Sequence, residues 1–276
     1  MQRFTFAGRT CVITGAAGGI GGALALELAR RRAALALVDR DAQGLRRVAE
    51  LAGELGAADV STYEIDLSDG GDRRDLAAAV LGRLGRADLL INNAGVTLTG
   101  TFEQNSLDDV EWLLEINLHA VIRTTKAFLP QLLERPGSHI VNVSSLFGLL
   151  APPGQVAYAT SKYAVRGFTE ALRHELEPRG VGVTVVHPGG IRTRIAANAR
   201  VSGLDPDGEQ AAQARRFAEA ALTMPPEEAA RQIVAAIQSR RPRLVITREA
   251  RAGDWLARIA PARYWKISEL VARRFQ

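Results

Sequence analysis

The feature that most constrains this chain is an alternation. Short β-branched or apolar runs occur at 10–14 (TCVIT), 33–38 (AALALV), 60–65, 88–91 (DLLI), 138–143 (SHIVNV), 181–186 (VGVTVV) and 243–247 (RLVIT). Longer stretches with helical periodicity separate them, at 19–31, 41–55, 71–84, 106–133, 157–177 and 226–239. Several runs are apolar at consecutive positions, as strands buried on both faces require. Strand–helix alternation calls for right-handed crossovers, so the expected fold is α/β: a doubly wound parallel sheet of about seven strands with helices on both faces. No repeat or Ser/Gly-rich linker divides the 276 residues. Two regions stand outside the alternation: 191–222, long and polar with a turn-rich middle (VSGLDPDGEQ), and the tail at 248–276. The expected organisation is one domain over 1–247, with 191–222 closing over a ligand, followed by a basic, aromatic-containing extension.

Composition narrows the function classes. With 47% hydrophobic and 24% charged residues the chain is globular in type. A single cysteine, Cys11, excludes an internal disulfide framework and a cysteine-rich metal site. His119, His139, His174 and His187 lack metal-ligand spacing, so no metal is expected. No apolar run approaches the roughly 18 residues of a membrane span, and MQRFTFAGRTCVIT carries no signal-type pattern. A cytoplasmic protein is expected. The formal net charge is +5, and residues 248–276 carry seven basic against three acidic side chains. Charge gathered in a tail, with no nucleic-acid motif, argues against a nucleic-acid partner.

The tail itself has two readings. Trp255, Leu256 and Ile259 fall at helical spacing before Pro261, and Ile267, Leu270 and Val271 repeat it after Tyr264 and Trp265. Basic residues between them suit weak contact with an anionic membrane surface. The same apolar stripe also suits packing across a substrate opening or a neighbouring subunit. Acidic residues and Pro261 favour packing.

Directly after the first strand comes Thr14-Gly15-Ala16-Ala17-Gly18-Gly19-Ile20-Gly21. Glycines here allow a tight turn and a close backbone approach to a pyrophosphate seated on the next helix's N-terminus. A plain packing turn would look similar. Asp39, ending the second strand, stands where a carboxylate bonds an adenosine ribose and repels a 2′-phosphate, or where it simply caps a helix. Arg40 beside it weakens that exclusion. Tyr158 and Lys162, four residues apart on one helix face, are a phenol and an ammonium that favours its ionisation, or else an ordinary surface pair.

Taken in order, TGAAGGIG, Asp66, NNAG at 92–95, Asn117, Ser145 thirteen residues before Tyr158, YATSK at 158–162 and PGGIRT at 188–193 give the chain a resemblance. Over about residues 7–247 it resembles the main branch of the short-chain dehydrogenase/reductase family, Rossmann-type oxidoreductases using NAD(P). The resemblance implies that Tyr158 is the general acid/base, Lys162 lowers its pKa and holds the nicotinamide ribose, Ser145 bonds the substrate oxygen, and Asn117 supports a water-linked proton relay. Asn117 also has an ordinary reading as a helix-kinking or packing residue. Cofactor contacts would come from Gly15, Gly19, Ile20, Gly21, Asp39, Arg40, Asp66, Leu67, Asn93, Ala94, Gly95, Tyr158, Lys162, Pro188, Gly189, Ile191 and Thr193.

NAD is expected ahead of NADP. Ser145, Phe147, Gln155 and Tyr158 would meet the substrate, within a lining that includes Val96, Leu98, Leu146, Leu149 and Gly190. That lining implies an apolar secondary alcohol or ketone, although Arg192, Arg194 and Arg200 could instead recognise an anionic group. An NADPH-dependent carbonyl reductase is the alternative enzyme, and a non-catalytic nucleotide-binding scaffold the alternative of another class. The helices at 106–133 and 157–177 would form a homodimer or homotetramer interface, with Phe128, Leu129, Leu132, Val165, Phe168 and Leu172 as core or interface positions. The histidines have no expected role.

Overall fold

The computed structural model describes residues 3–69, 72–195, 198–201 and 222–267. Nine strands are described: β1 Thr10–Thr14, β2 Ala34–Asp39, β3 Asp59–Glu64, β4 Leu89–Asn92, β5 Leu98–Thr99, β6 His139–Val143, β7 Gly182–His187, β8 Arg200–Val201 and β9 Arg243–Val245. Seven form one parallel sheet in the order β3-β2-β1-β4-β6-β7-β9. β5 and β8 make a separate short pair that the apolar pattern did not indicate, each being two residues long. The helices are α1 Gly19–Ala29, α2 Ala42–Glu54, α3 Asp72–Leu84, α4 Leu107–Leu114, α5 Ala120–Leu133, α6 Val156–Leu176, α7 Pro226–Gln238 and α8 Arg248–Ile259.

Successive strand residues point to opposite faces, and each face has its own apolar layer. Cys11, Ile13, Leu35, Leu37, Leu89 and Ile91 meet Leu24 and Leu28 of α1 and Ile233 and Ile237 of α7. Val12, Ala36, Val38, Leu90 and Ile140 meet Leu76 of α3, Phe128 and Leu132 of α5, and Leu172 and Leu176 of α6. The positions weighed for core or interface divide accordingly: Phe128, Leu132, Val165 and Leu172 are buried within the chain. Cys11 is a core residue.

The strand order reverses between β1 and β4, and in such sheets the crevice at the carboxyl ends of those strands receives ligands. A buried polar network beneath it fixes the neighbouring strands. Asn92 Nδ2 donates to Asn142 Oδ1 at 2.8 Å and to Thr125 Oγ1 at 3.0 Å, while Asn142 Nδ2 donates to Thr169 Oγ1 at 3.0 Å. The network ties β4 and β6 to α5 and α6, although Asn92 Oδ1 is buried without a partner.

The stretch expected as one helix at 106–133 is interrupted. A π-helical segment, Glu115–His119, separates α4 from α5. It holds Asn117, and single π turns inside helices are frequent at functional sites. Among the described residues no helix is long and apolar enough to cross a membrane, and no cluster of three metal-ligating side chains occurs. Most of 191–222 and the second half of the tail pattern, including Leu270 and Val271, lie outside the described residues.

Candidate active site

A cleft of about 1260 Å³ runs along the carboxyl ends of the central strands. Its floor is two loops locked together. Thr14 Oγ1 accepts from Asn93 N at 3.0 Å and Ala94 N at 3.1 Å, and Asn93 Nδ2 donates to the Thr14 and Gly15 carbonyls. Gly15 has φ +69°, and a Cβ there would lie 2.9 Å from Ala94 Cα. A Cβ on Gly21 would lie 2.0 Å from the Gly15 carbonyl oxygen. These positions therefore need glycine for two separate reasons, backbone sign and space.

Gly18 precedes α1 without a side-chain cap, so the first-turn amides are left for another acceptor. An uncapped helix N-terminus behind a glycine turn fits a diphosphate. Asp39 lies alongside in the same cleft, its Oδ2 accepting from Ala17 N at 3.0 Å and its Oδ1 from Asp41 N at 3.1 Å. The carboxylate thus braces the glycine loop against the end of β2. Arg40 is paired with Asp66 at 3.9 Å.

The reacting group comes from β6 and α6. Ser145 starts a short 3₁₀ turn, Leu146–Gly148, and its Oγ accepts from Phe147 N at 3.1 Å. Tyr158 lies in the first turn of α6, edge-on to Phe147 with ring centroids 6.0 Å apart. Lys162 Nζ sits 5.6 Å from the Tyr158 ring centroid and donates to the Val143 carbonyl at 3.2 Å. Burial pushes the Tyr158 phenol up, and a hydrogen bond with Ser145 pulls the other way. Burial also brings Lys162 down to about 8. The expectation of a phenol already lowered by its lysine is therefore not met in the free site.

Gly15, Gly19, Ile20, Asp39, Arg40, Asp66, Leu67, Asn93, Ala94, Gly95, Ser145, Phe147, Gln155, Tyr158, Lys162, Pro188, Gly189, Ile191 and Thr193 all line the cleft. Two members of the sequence-derived set sit behind it. Gly21 packs under the glycine loop, and Asn117 is buried with its amide spent on Val96 and Ser161, Oδ1 accepting from Val96 N at 2.8 Å and Nδ2 donating to Val96 O at 2.9 Å and Ser161 Oγ at 3.2 Å. Leu98 and Leu149, expected in the substrate lining, are buried instead, Leu98 against Leu113 and Ala157. Val96, Leu146 and Gly190 do line the cleft.

Sequence reasoning missed Trp112, Gln104 and Glu249 in the lining, whereas Arg194, weighed there as a reader of an anionic group, does line it. It also gave His187 no role, yet its Nδ1 lies 3.0 Å from the Ser145 carbonyl, and burial brings the ring down to about 4. A neutral His187 donates there and steadies the main chain under Ser145. The tail closes one side: Trp265 and Glu249 line the cleft, and the Tyr264 hydroxyl accepts from Ala151 N at 2.9 Å. The packing reading of the tail thus describes its inner side.

The family model described as short chain dehydrogenase matches residues 9–202. The chain belongs to that family. It is 42% identical over 266 residues to SadH of Mycobacterium tuberculosis, with 95% of each chain covered. A short-chain dehydrogenase/reductase from Burkholderia phymatum, solved in complex with NAD, superposes with a TM-score of 0.85 at 32% identity, covering 93% of this chain and 95% of that one. A metagenomic short-chain oxidoreductase in complex with NADP gives 0.71 at 27% identity, covering 88% and 98%.

Proposed function

We propose that this protein is an NAD-dependent oxidoreductase that interconverts an apolar secondary alcohol and its ketone. The observation that carries this reading is that Ser145, Tyr158 and Lys162 open onto the same cleft as the uncapped N-terminus of α1. NAD, where bound, accepts or returns the hydride. Ser145 Oγ and the Tyr158 hydroxyl hold the substrate oxygen, and Tyr158 takes the hydroxyl proton in oxidation or supplies it in reduction. Lys162 stays cationic near neutral pH and favours the phenolate. Asn117 acts from behind, fixing Val96 and the loop that carries Gly95. A Cβ on Gly95 would stand 3.3 Å from both Asn117 Oδ1 and Lys162 Nζ, so this corner has no room to spare.

Asp39 supports NAD, because a carboxylate at the ribose end repels a 2′-phosphate. The Burkholderia relative's bound NAD agrees with that choice. Arg40 in the cleft and the NADP-bound neighbour support the second reading, an NADPH-dependent carbonyl reductase. The apolar substrate is supported by Val96, Trp112, Leu146, Phe147 and Trp265 around the open end. Of the three arginines that could have read an anionic substrate group, Arg200 pairs with Asp109 at 3.1 Å while stacking on Trp112, and Arg194 lies over the glycine loop at the cofactor end, 3.7 Å from Asp41.

Residues 1–247 form the catalytic unit of this reading and 248–276 its extension, in a cytoplasmic homodimer or homotetramer. Exposed Ile122 on α5 and Val156 and Tyr163 on α6 suit that interface, which light scattering tests. The deciding experiment follows reduced-nicotinamide absorbance with NAD or NADP against apolar secondary alcohols and charged analogues. Turnover of the apolar series with NAD is expected. Preference for the charged set overturns the substrate class, and absence of any cofactor binding overturns the oxidoreductase reading.

A further inference from the structure

The tail helix α8 has two sides of different chemistry. It starts at Thr247, whose hydroxyl caps Ala250 N at 3.2 Å from a φ of +78°, a strained conformation for a β-branched residue. Inward, Ala250 is buried and Gly253 lies so close to Leu150 that a Cβ would stand 2.9 Å from its Cδ1. Asp254 also turns inward and holds both terminal Arg243 nitrogens, at 2.7 and 2.9 Å, while its Oδ1 accepts from Arg258 Nε at 3.2 Å. Glu249, the other described carboxylate of the tail, lines the cleft. Outward, Trp255 and Ile259 stand one turn apart, 67% and 75% exposed. Exposed Arg251 and Arg258 flank them, and exposed Arg263 and Lys266 follow.

We propose that this outer face of α8 docks on an anionic lipid surface. The described acidic residues turn toward Arg243 and the cleft, with Asp254 reaching the outer face only through Arg258, which leaves an indole and a sec-butyl group set among cations. An indole at headgroup level with arginines toward anionic phosphates is the arrangement that interfacial helices use. A second copy of this chain fits the face less well. Symmetric pairing along the stripe would set Arg251 and Arg258 against the same residues of the copy, like charge on like. Docking would also bring the cleft's Trp265 side toward the lipid, a route for an apolar substrate; that last step rests on the proposed function, whereas the docking does not.

The test is co-sedimentation of the full chain with phosphatidylcholine vesicles, with and without phosphatidylglycerol. Binding is expected only with the anionic lipid, falling about tenfold as salt rises from about 0.1 to about 0.5 M. Trp255→Ser with Ile259→Ser is expected to lose it while NADH titration and thermal unfolding stay unchanged. Absence of sedimentation with phosphatidylglycerol overturns the proposal, as does equal binding to phosphatidylcholine alone or by the double variant. If the double variant instead turns an oligomer into a monomer and neither form sediments, the face is a subunit interface and the proposal fails.

Discussion

Replacing Asp39 separates two roles that the structure gives one carboxylate. Its oxygens accept from Ala17 N and Asp41 N, so Asp39→Ala removes two main-chain hydrogen bonds as well as the charge at the ribose end. Bonds to a charged acceptor contribute about 1.5–3 kcal/mol when buried. At this half-buried position about 1 kcal/mol each is the better figure, or about 2 kcal/mol together. For a chain of this size that lowers Tm by about 4–8 °C. The loss of ribose bonding weakens NADH by about tenfold, and removing the repulsion of a 2′-phosphate improves NADPH by a similar factor, so the NAD/NADP ratio of kcat/KM should fall about a hundredfold. Asp39→Ser discriminates the roles. Its hydroxyl can accept one of the two amides, so about half of the Tm loss returns while the coenzyme ratio shifts as it does in the alanine variant. Differential scanning fluorimetry and initial rates with both coenzymes measure this. A ratio unchanged within about threefold, alongside the Tm loss, would refute the ribose assignment and leave Asp39 as a brace.

Three further outcomes are expected. Tyr158→Phe keeps the ring against Phe147 but removes the transferable proton, so turnover should drop at least a hundredfold with NADH affinity nearly intact, and a milder loss would sink its acid–base role. Arg194 reaches over the glycine loop to Asp41, its Nη2 3.5 Å from where a Gly18 Cβ would be, so Arg194→Ala should weaken ADP-ribose by about tenfold and leave adenosine unaffected in calorimetric titrations; equal losses for both would assign it a purely structural role. Burial brings His187 down to about 4 and His139 to about 3, so the unfolded chain takes up their protons first as pH falls below about 6.5. Stability should therefore decline by up to about 1.4 kcal/mol per pH unit for each, full above pH 6.5 and lost toward 4 and 3, and urea midpoints that stay flat from pH 7 to 5 would contradict it.

The parts legible in the sequence were those where local pattern and burial coincide. β1, β4, β6 and β7 are buried along their whole length, and their consecutive apolar positions announced it. The glycine loop and the Tyr158–Lys162 spacing were legible because one turn and one helix each carry all the needed residues. The π segment was not, because Glu115–His119 continues an ordinary helical pattern and Asn117 alone does not mark an i→i−5 shift. Nor could the letters tell that Leu98 and Leu149 turn inward while Leu146 lines the cleft. An apolar residue beside an apolar core and an apolar pocket has two satisfactory directions, and only the path of the loop selects one. The Arg194–Asp41 pair joins positions far apart in the chain, with no local trace in either. The tail shows the same limit in charges. A count across 248–276 dilutes its arginines with carboxylates, whereas the fold turns Asp254 onto Arg243 and Arg258 and sets Glu249 at the cleft.

The electrostatics of the free cleft bear on how the reacting pair would work. Tyr158 is pushed up and Lys162 brought down to about 8 by the same cause, withdrawal from water. At pH 7 a group of pKa about 8 is still about nine-tenths protonated, so Lys162 keeps its charge. That charge lies 5.6 Å from the phenol ring centroid. A cation so placed favours the phenolate. The Ser145 hydrogen bond acts in the same direction. Burial is still the larger effect, and the phenol stays above its ordinary value. On the proposed reading, Tyr158 therefore holds its proton in the resting protein and becomes a base only when a substrate oxygen completes the hydrogen bonds at Ser145. The catalytic gain then lies in the fixed geometry of Ser145, Tyr158 and Lys162, held by the His187 and Val143 contacts behind them, and not in a phenol that is acidic beforehand.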